Sequence, residues 1–166
     1  FSKDKKHILA VNKNEFFKWS LEDGSLIFNK KFYFQISNRL GVNWQNITLS
    51  SNGDLVAGTW HLEVDFKKKT EFATMYSLSL LKETFVYDIG NNTMLFKIKN
   101  FVPGGVVNLN FSSDSKLLAI NTWKTINIYN VSTGKIVRQI DISKFGAKNF
   151  IDYEFNKKGD EIFVFY

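Results

Sequence analysis

The chain has 166 residues, carries 22 Lys and Arg against 16 Asp and Glu for a net charge of +6, and contains no Cys. This length is typical of one domain, and a hydrophobic content of 44% excludes a disordered chain. No apolar run approaches the roughly 18 residues of a membrane helix, and the lack of Cys excludes disulfides, a thiol nucleophile and a Cys-based zinc site. Aromatic residues reach 16%, including 17 Phe, which favours strands over helices.

Four segments of the chain begin alike, near Phe1, Leu49, Phe111 and Phe155. Each has an apolar residue, a short polar turn and then an apolar strand, as in Phe111, the turn 112–116 and the strand 117–120. Such self-similarity is typical of repeat architectures. The sequence therefore predicts four copies of one strand–turn–strand start.

A second shared block follows three of these starts, at 16–27, 85–95 and 126–137. Apolar residues alternate on both sides of a short polar turn, which predicts two half-buried strands joined as a hairpin. Residues that tolerate positive φ stand in the turns, namely Asp23-Gly24, Asn91-Asn92 and Thr133-Gly134.

The starts lie 48, 62 and 44 residues apart, and the middle interval is long because it contains an insert of about twenty residues. Without this insert, the period matches the roughly 40–45 residues of a four-stranded propeller blade. No stretch of ten or more residues shows helical periodicity. The predicted fold is therefore an all-β propeller.

The repeats resemble those of the WD40-like propeller family. That family closes its third strand with Trp-Asp, and the corresponding pairs here are Trp19-Ser20, Tyr87-Asp88 and Tyr129-Asn130. The Gly-His dipeptide of the family is missing from every repeat, so the resemblance implies blades held by apolar and aromatic packing.

The strand count predicts an incomplete arc of about three to four blades over residues 1–166. Phe1 aligns with the end of an inner strand, and Tyr166 falls within the second strand of the fourth repeat. Closed propellers usually have at least four blades, and an open arc leaves unpaired strand edges. We expect the arc to be part of a larger propeller, closed by the rest of its own chain or by another subunit.

The insert at 61–82 is the most individual feature, and its alternating pattern predicts a hairpin that prolongs two strands beyond the blade. In WD40-like proteins, the loop at this position lies on a face that often contacts partners. The resemblance therefore implies a partner-binding role, for which aromatic anchors and adjacent cations are suited. The candidate residues are Trp60, Phe66, Lys67, Lys68, Lys69 and Phe72.

We assign no catalytic, cofactor-binding or metal site from the sequence. The chain lacks a Gly-x-Ser-x-Gly elbow and a phosphate-binding Gly loop, and it has two His in all. His61, Glu63 and Asp65 share one face of a predicted strand, but alternate residues lie roughly 7 Å apart, which is wide for one ion. A solvated polar face is the preferred interpretation.

The sequence thus favours a non-enzymatic scaffold or sensor platform that binds a protein through propeller loops and the 61–82 hairpin. An RNA- or ribosome-associated propeller is the alternative, based on Lys67–Lys69, Lys30-Lys31 beside Phe32–Phe34, and Lys157-Lys158. A composition bias towards Lys, Asn and Phe explains these lysines more simply. The third hypothesis is an enzyme whose channel site lies in blades beyond these residues.

Overall fold

The computed structural model describes residues 2, 5–11, 15–31, 42–62, 82–100, 106–122, 124–145 and 152–165. These residues form thirteen β-strands and one short 3₁₀ turn at Ser143–Phe145. The strands are β1 His7–Val11, β2 Glu15–Ser20, β3 Leu26–Lys31, β4 Val42–Leu49, β5 Leu55–Leu62, β6 Lys82–Asp88, β7 Thr93–Asn100, β8 Val106–Phe111, β9 Leu117–Thr122, β10 Thr125–Asn130, β11 Ile136–Asp141, β12 Asp152–Phe155 and β13 Ile162–Phe165. In this part of the chain, no helix has the length and apolar character needed to cross a membrane.

The strands form four antiparallel sheets, and within each sheet every strand pairs with the next one along the chain. The first sheet contains β1–β3, the second β4–β7, the third β8–β11 and the fourth β12–β13. Consecutive sheets meet at their inner strands, since β4 packs against β8 and β8 against β12. The described sheets therefore follow one another as blades in an open arc, as the sequence predicted.

Apolar cores fill the spaces between neighbouring sheets. Successive strand residues point to opposite faces, so Val56 packs towards the first sheet while Ala57 packs towards the third. Leu118 likewise faces the second sheet and Ala119 faces the fourth. The inner strands of the two complete sheets are thus covered on both faces, whereas β11 at the outer edge is largely exposed.

The same turn precedes β1, β5, β9 and β13. The side chain of the first turn residue accepts a hydrogen bond from the backbone amide of the residue five places later. The backbone amide of the first residue donates a hydrogen bond to the backbone carbonyl of that later residue. The pairs are Ser2 with His7, Ser50 with Leu55, Ser112 with Leu117 and Asn156 with Glu161. A buried Ser or an Asn at the first position satisfies backbone groups that would otherwise be unpaired.

Three sheets carry an aromatic residue at the same register position, on β2, β6 and β10. Trp19 pairs with Ile8, Tyr87 with Val56, and Tyr129 with Leu118. These three aromatics are the residues that the sequence aligned with the Trp of the Trp-Asp pair. The strand register therefore makes them structurally equivalent.

Tight turns join β2 to β3, β6 to β7 and β10 to β11, as the sequence predicted. Gly24, Asn92 and Gly134 have φ of 70°, 58° and 66°. Only residues without a bulky side chain, or with a short polar one, tolerate this conformation readily.

Candidate functional site

Most of the predicted partner-binding residues lie outside the described part of the chain. These are Phe66, Lys67–Lys69 and Phe72, while Trp60 is described only as a backbone position in β5. The structure does describe how the two strands beside them pair, because Trp60 lies opposite Glu83 and His61 opposite Lys82. The described residues on either side of 63–81 therefore lie at neighbouring points of the second sheet.

Two of the three residues considered as metal ligands also lie outside the described part of the chain. Glu63 and Asp65 belong to the undescribed segment, and His61 is described only as a backbone position in β5. Across the residues that the structure covers, no three His, Cys, Asp or Glu side chains are grouped so as to hold a metal ion.

Two lysines of the predicted basic clusters make contacts within the protein. The Lys30 ammonium donates to the backbone carbonyls of Ile89 at 2.8 Å and Gly90 at 3.1 Å. Lys31 lies 3.6 Å from a carboxylate oxygen of Glu15 on the neighbouring strand. Lys30 therefore ties the first sheet to a turn of the second, a structural role that leaves fewer of its donors for a phosphate.

The recurrent turns before β5, β9 and β13 contact one another along one face of the arc. Ser115 Oγ lies 3.3 Å from Asn52 Oδ1 in the second sheet, and Ser113 Oγ donates to the Lys157 carbonyl at 2.6 Å in the fourth. These side chains join three consecutive sheets through polar contacts at the surface. The face is therefore held as one unit rather than as separate loops.

Asp114 stabilises one of these turns. The Ser112 hydroxyl donates to its carboxylate at 2.7 Å, and the Lys116 amide donates at 3.1 Å. The Ser112 hydrogen bond is the main reason that the pKa of Asp114 lies below its usual value, and partial burial opposes it. The turn thus keeps a negative charge on this face at neutral pH.

A groove of about 530 Å³ opens between the third and fourth sheets. Its third-sheet wall includes Leu117, Ile128, Arg138 and Ile140, and its fourth-sheet wall includes Asp160 and Ile162. The groove is therefore mainly apolar, with Arg138 on one wall and Asp160 and Glu161 on the other. It adjoins the free edge of β13, which pairs only with β12 among the described strands.

Sequence reasoning missed this groove. Its lining residues come from strands that the repeat pattern predicts as ordinary interior strands, so no local signal marks them. The repeat pattern could have pointed to these positions, because the equivalent residues Leu55, Phe96 and Ile98 pack in the core between the second and third sheets.

The comparisons with known proteins show a similarity of fold and nothing more specific. No protein-family model matches the sequence, and no curated protein matches it. Among solved structures, KlAtg21 in complex with the coiled-coil of AgAtg16 aligns over 97% of this chain and 47% of its own, with 14% identity and a TM-score of 0.55. Together with the sequential four-stranded sheets and the recurring third-strand aromatic, this likeness decides the fold. The chain folds as an arc of a WD40-like propeller.

Two further solved structures are similar at lower scores. U3-55K and the RRP9 WD40 repeats each align over 84% of this chain with 16% identity and a TM-score of 0.49. The chain spans 37% and 36% of their respective lengths. In each of the three comparisons the WD40-like arc thus corresponds to less than half of the matched chain.

Proposed function

We propose that the WD40-like arc is a non-enzymatic scaffold that binds a partner protein through its propeller loops and the 61–82 insert. The observation that carries this proposal is the pairing of His61 with Lys82. Because these residues still belong to the second sheet, the insert is anchored at both ends on a rigid element. Long loops placed on rigid frames are where proteins concentrate their binding residues.

The stiffness of the frame supports the proposal. Polar contacts between successive turns and apolar cores between successive sheets hold the described blades in a constant arrangement. A partner that contacts such a frame does not have to order it first, which reduces the entropy lost on binding. The candidate contact residues within the insert are Phe66, Lys67–Lys69 and Phe72, preceded by Trp60.

The proposal is tested by removing the insert without disturbing the sheet. His61 pairs with Lys82, and a two-residue turn is the best connection for two antiparallel strands that end next to each other. Residues 63–80 are therefore replaced by Asn-Gly. The partner captured by the intact chain is purified, and its affinity for both forms is measured by titration calorimetry.

We expect the shortened chain to keep its circular dichroism spectrum. It should bind the partner at least tenfold more weakly, because a few central contacts usually provide most of the binding energy of an interface. Charge reversal of Lys67–Lys69 should weaken binding in part. Reversal of Lys157 and Lys158, which lie on an exposed turn, is the matched control and should have no effect. Equal affinity of the shortened and intact chains would contradict the proposal.

The same titration distinguishes binding of a protein partner from the RNA-associated alternative. A protein partner should survive nuclease treatment and bind with a shallow dependence on salt. Binding that is lost with nuclease, or that weakens steeply between 50 and 200 mM salt as counterion release requires, would favour the RNA-associated hypothesis instead.

A further inference from the structure

Asn52 is the one asparagine in the sequence that is followed directly by a glycine. It lies in the recurrent turn before β5, and its side chain is exposed to water. An asparagine side chain can react with the backbone nitrogen of the next residue, which attacks the carboxamide carbon and releases ammonia. Gly53 has no side chain to hinder this attack. Sequence and exposure therefore single out Asn52 for this reaction.

The turn polarises the carboxamide of Asn52. Its oxygen accepts hydrogen bonds from the Ser50 hydroxyl at 2.6 Å, the Asp54 amide at 3.3 Å and the Ser115 hydroxyl of the third sheet at 3.3 Å. Such donors stabilise the negative charge that develops on a carbonyl oxygen when a nucleophile attacks. The nitrogen of the carboxamide donates to the Asp54 carboxylate at 2.7 Å. The group that is attacked is therefore held and polarised before the reaction.

The same turn restrains the attacking nitrogen. The Gly53 amide donates to the Ser50 carbonyl at 2.9 Å, and this hydrogen bond must break before the nitrogen can lose its proton and attack. Exposed turns open locally at a lower free energy than that of global unfolding. The two hydroxyl donors on the Asn52 oxygen belong to other residues, so this local opening leaves the carboxamide polarised.

The recurrent turn of the third sheet shows how an aspartate occupies this position. Asp114 accepts hydrogen bonds from the Ser112 hydroxyl at 2.7 Å and the Lys116 amide at 3.1 Å, and Asn52 has the two equivalent contacts in its own turn. The hydrogen bond from Ser112 lowers the pKa of Asp114, which is therefore ionised at neutral pH. An aspartate formed from Asn52 would keep these two contacts and carry a negative charge.

The two turns differ in the charge beside this position. In the third sheet, the Lys116 ammonium lies 3.7 Å from the Asp114 carboxylate. In the second sheet, Asp54 occupies the place of Lys116 and accepts a hydrogen bond from the Asn52 nitrogen. Loss of that nitrogen replaces the hydrogen bond by the repulsion of two carboxylates. The reaction would therefore loosen the turn before β5.

From these observations we propose that Asn52 is a site of spontaneous deamidation, which adds a negative charge to the turn and loosens it. A base in the solvent takes the proton of the Gly53 amide, the nitrogen bonds to Cγ of Asn52, and Nδ2 leaves as ammonia with a proton from water. A water molecule then opens the cyclic imide and gives aspartate or isoaspartate. The net change consumes water and releases ammonia, without oxidation or reduction. The proposal goes beyond the scaffold function above, because it involves no residue of the 61–82 insert.

The test follows the conversion of residue 52 by peptide mapping and mass spectrometry. The 166-residue chain is incubated at mildly alkaline pH, in parallel with a free peptide of residues 49–56. We expect Asn52 to convert before the other asparagines, and faster as the pH rises, because the attacking nitrogen must lose a proton. Asp114→Asn is the matched control, because it places an asparagine at the same turn position in front of Ser115, whose side chain hinders the attack. That asparagine should convert several times more slowly than Asn52.

Two further variants test the consequence for the turn. Asn52→Asp should speed hydrogen exchange at the amides of Gly53 and Leu55, which donate within the closed turn. The addition of Asp54→Lys copies the charge arrangement of the third sheet and should restore slow exchange. Exchange in β9 should be the same in all these forms, because its own turn is unchanged.

Three results would overturn the proposal. The first is that Asn52 keeps its amide in the folded chain while the free peptide converts. The second is that conversion speeds up in Thr59→Val, a variant outside the turn, in step with its lost stability, because the reaction would then belong to the unfolded chain alone. The third is unchanged exchange of Gly53 and Leu55 in Asn52→Asp, because the new charge would then leave the turn closed.

Discussion

Asn121 is a buried polar residue whose replacement should stabilise the protein. Its side chain is 0% exposed, and both its amide nitrogen and its amide oxygen lack a hydrogen-bond partner within the described structure. In the second sheet, the equivalent residue is Thr59, whose hydroxyl lies 3.1 Å from that of Thr84 across the strand pair. Asn121 instead lies opposite Ile126, which has no polar side chain to offer.

The magnitude follows from the cost of the unpaired amide. A buried donor or acceptor without a partner costs about 1–3 kcal/mol. Asn121→Val removes both groups and adds apolar area, while part of the gain is lost to imperfect packing. We therefore expect the free energy of unfolding to rise by about 1 kcal/mol and Tm to rise by roughly 2–4 °C for a chain of this size.

Urea denaturation followed by circular dichroism measures this change, with the slope m checked to be the same for both forms. Thr59→Val is the matched control, because it removes one hydroxyl of a satisfied pair and should lower the free energy of unfolding by about 1 kcal/mol. If Asn121→Val lowered stability as much as Thr59→Val, the amide of Asn121 would have a stabilising partner and the reasoning would be wrong.

Two further predictions concern packing and pH. A Cβ added at Gly58 would lie 2.7 Å from two atoms of the buried Phe85 ring, so Gly58→Ala should destabilise the fold by about 1–3 kcal/mol. Phe85→Leu in the same chain should restore part of this loss in thermal unfolding, whereas additive losses would argue against the clash. The Ser112 hydrogen bond is the main reason that the pKa of Asp114 is lower in the folded chain than its ordinary value of about 3.9. The ionised carboxylate therefore stabilises the fold at pH values above this ordinary pKa. This stabilisation is lost as the pH falls through the lower pKa of the folded state. Asp114→Asn should therefore be less stable than the native chain at pH 6 and nearly equal to it at strongly acid pH, and a difference that did not change with pH would contradict this reasoning.

Local patterns in the sequence were sufficient to predict the strands and their turns. Alternation of apolar residues has the period of a strand, and Gly24 or Gly134 supplies the backbone freedom that a tight turn requires. The recurrence of these patterns also predicted the blades and the equivalence of Trp19, Tyr87 and Tyr129. Both depend on residues close together in the chain, which a repeat makes visible.

The candidate binding surfaces were predicted only in part. The insert stood out because it interrupts the repeat, and its contact residues Phe66, Lys67–Lys69 and Phe72 stay a prediction. The groove gave no such signal, because Leu117, Arg138 and Ile140 resemble ordinary strand residues until their uncovered side is known.

The sequence by itself determined that this protein is an all-β repeat with WD40-like blades, because alternation, turn chemistry and period are properties of neighbouring residues. Only the tertiary structure decided which residues meet between sheets. It placed Lys30 on the carbonyls of Ile89 and Gly90, left Asn121 without a described partner, and opened the groove beside β13. These outcomes depend on how one sheet lies against the next, and residues about sixty positions apart make contacts that no local pattern encodes.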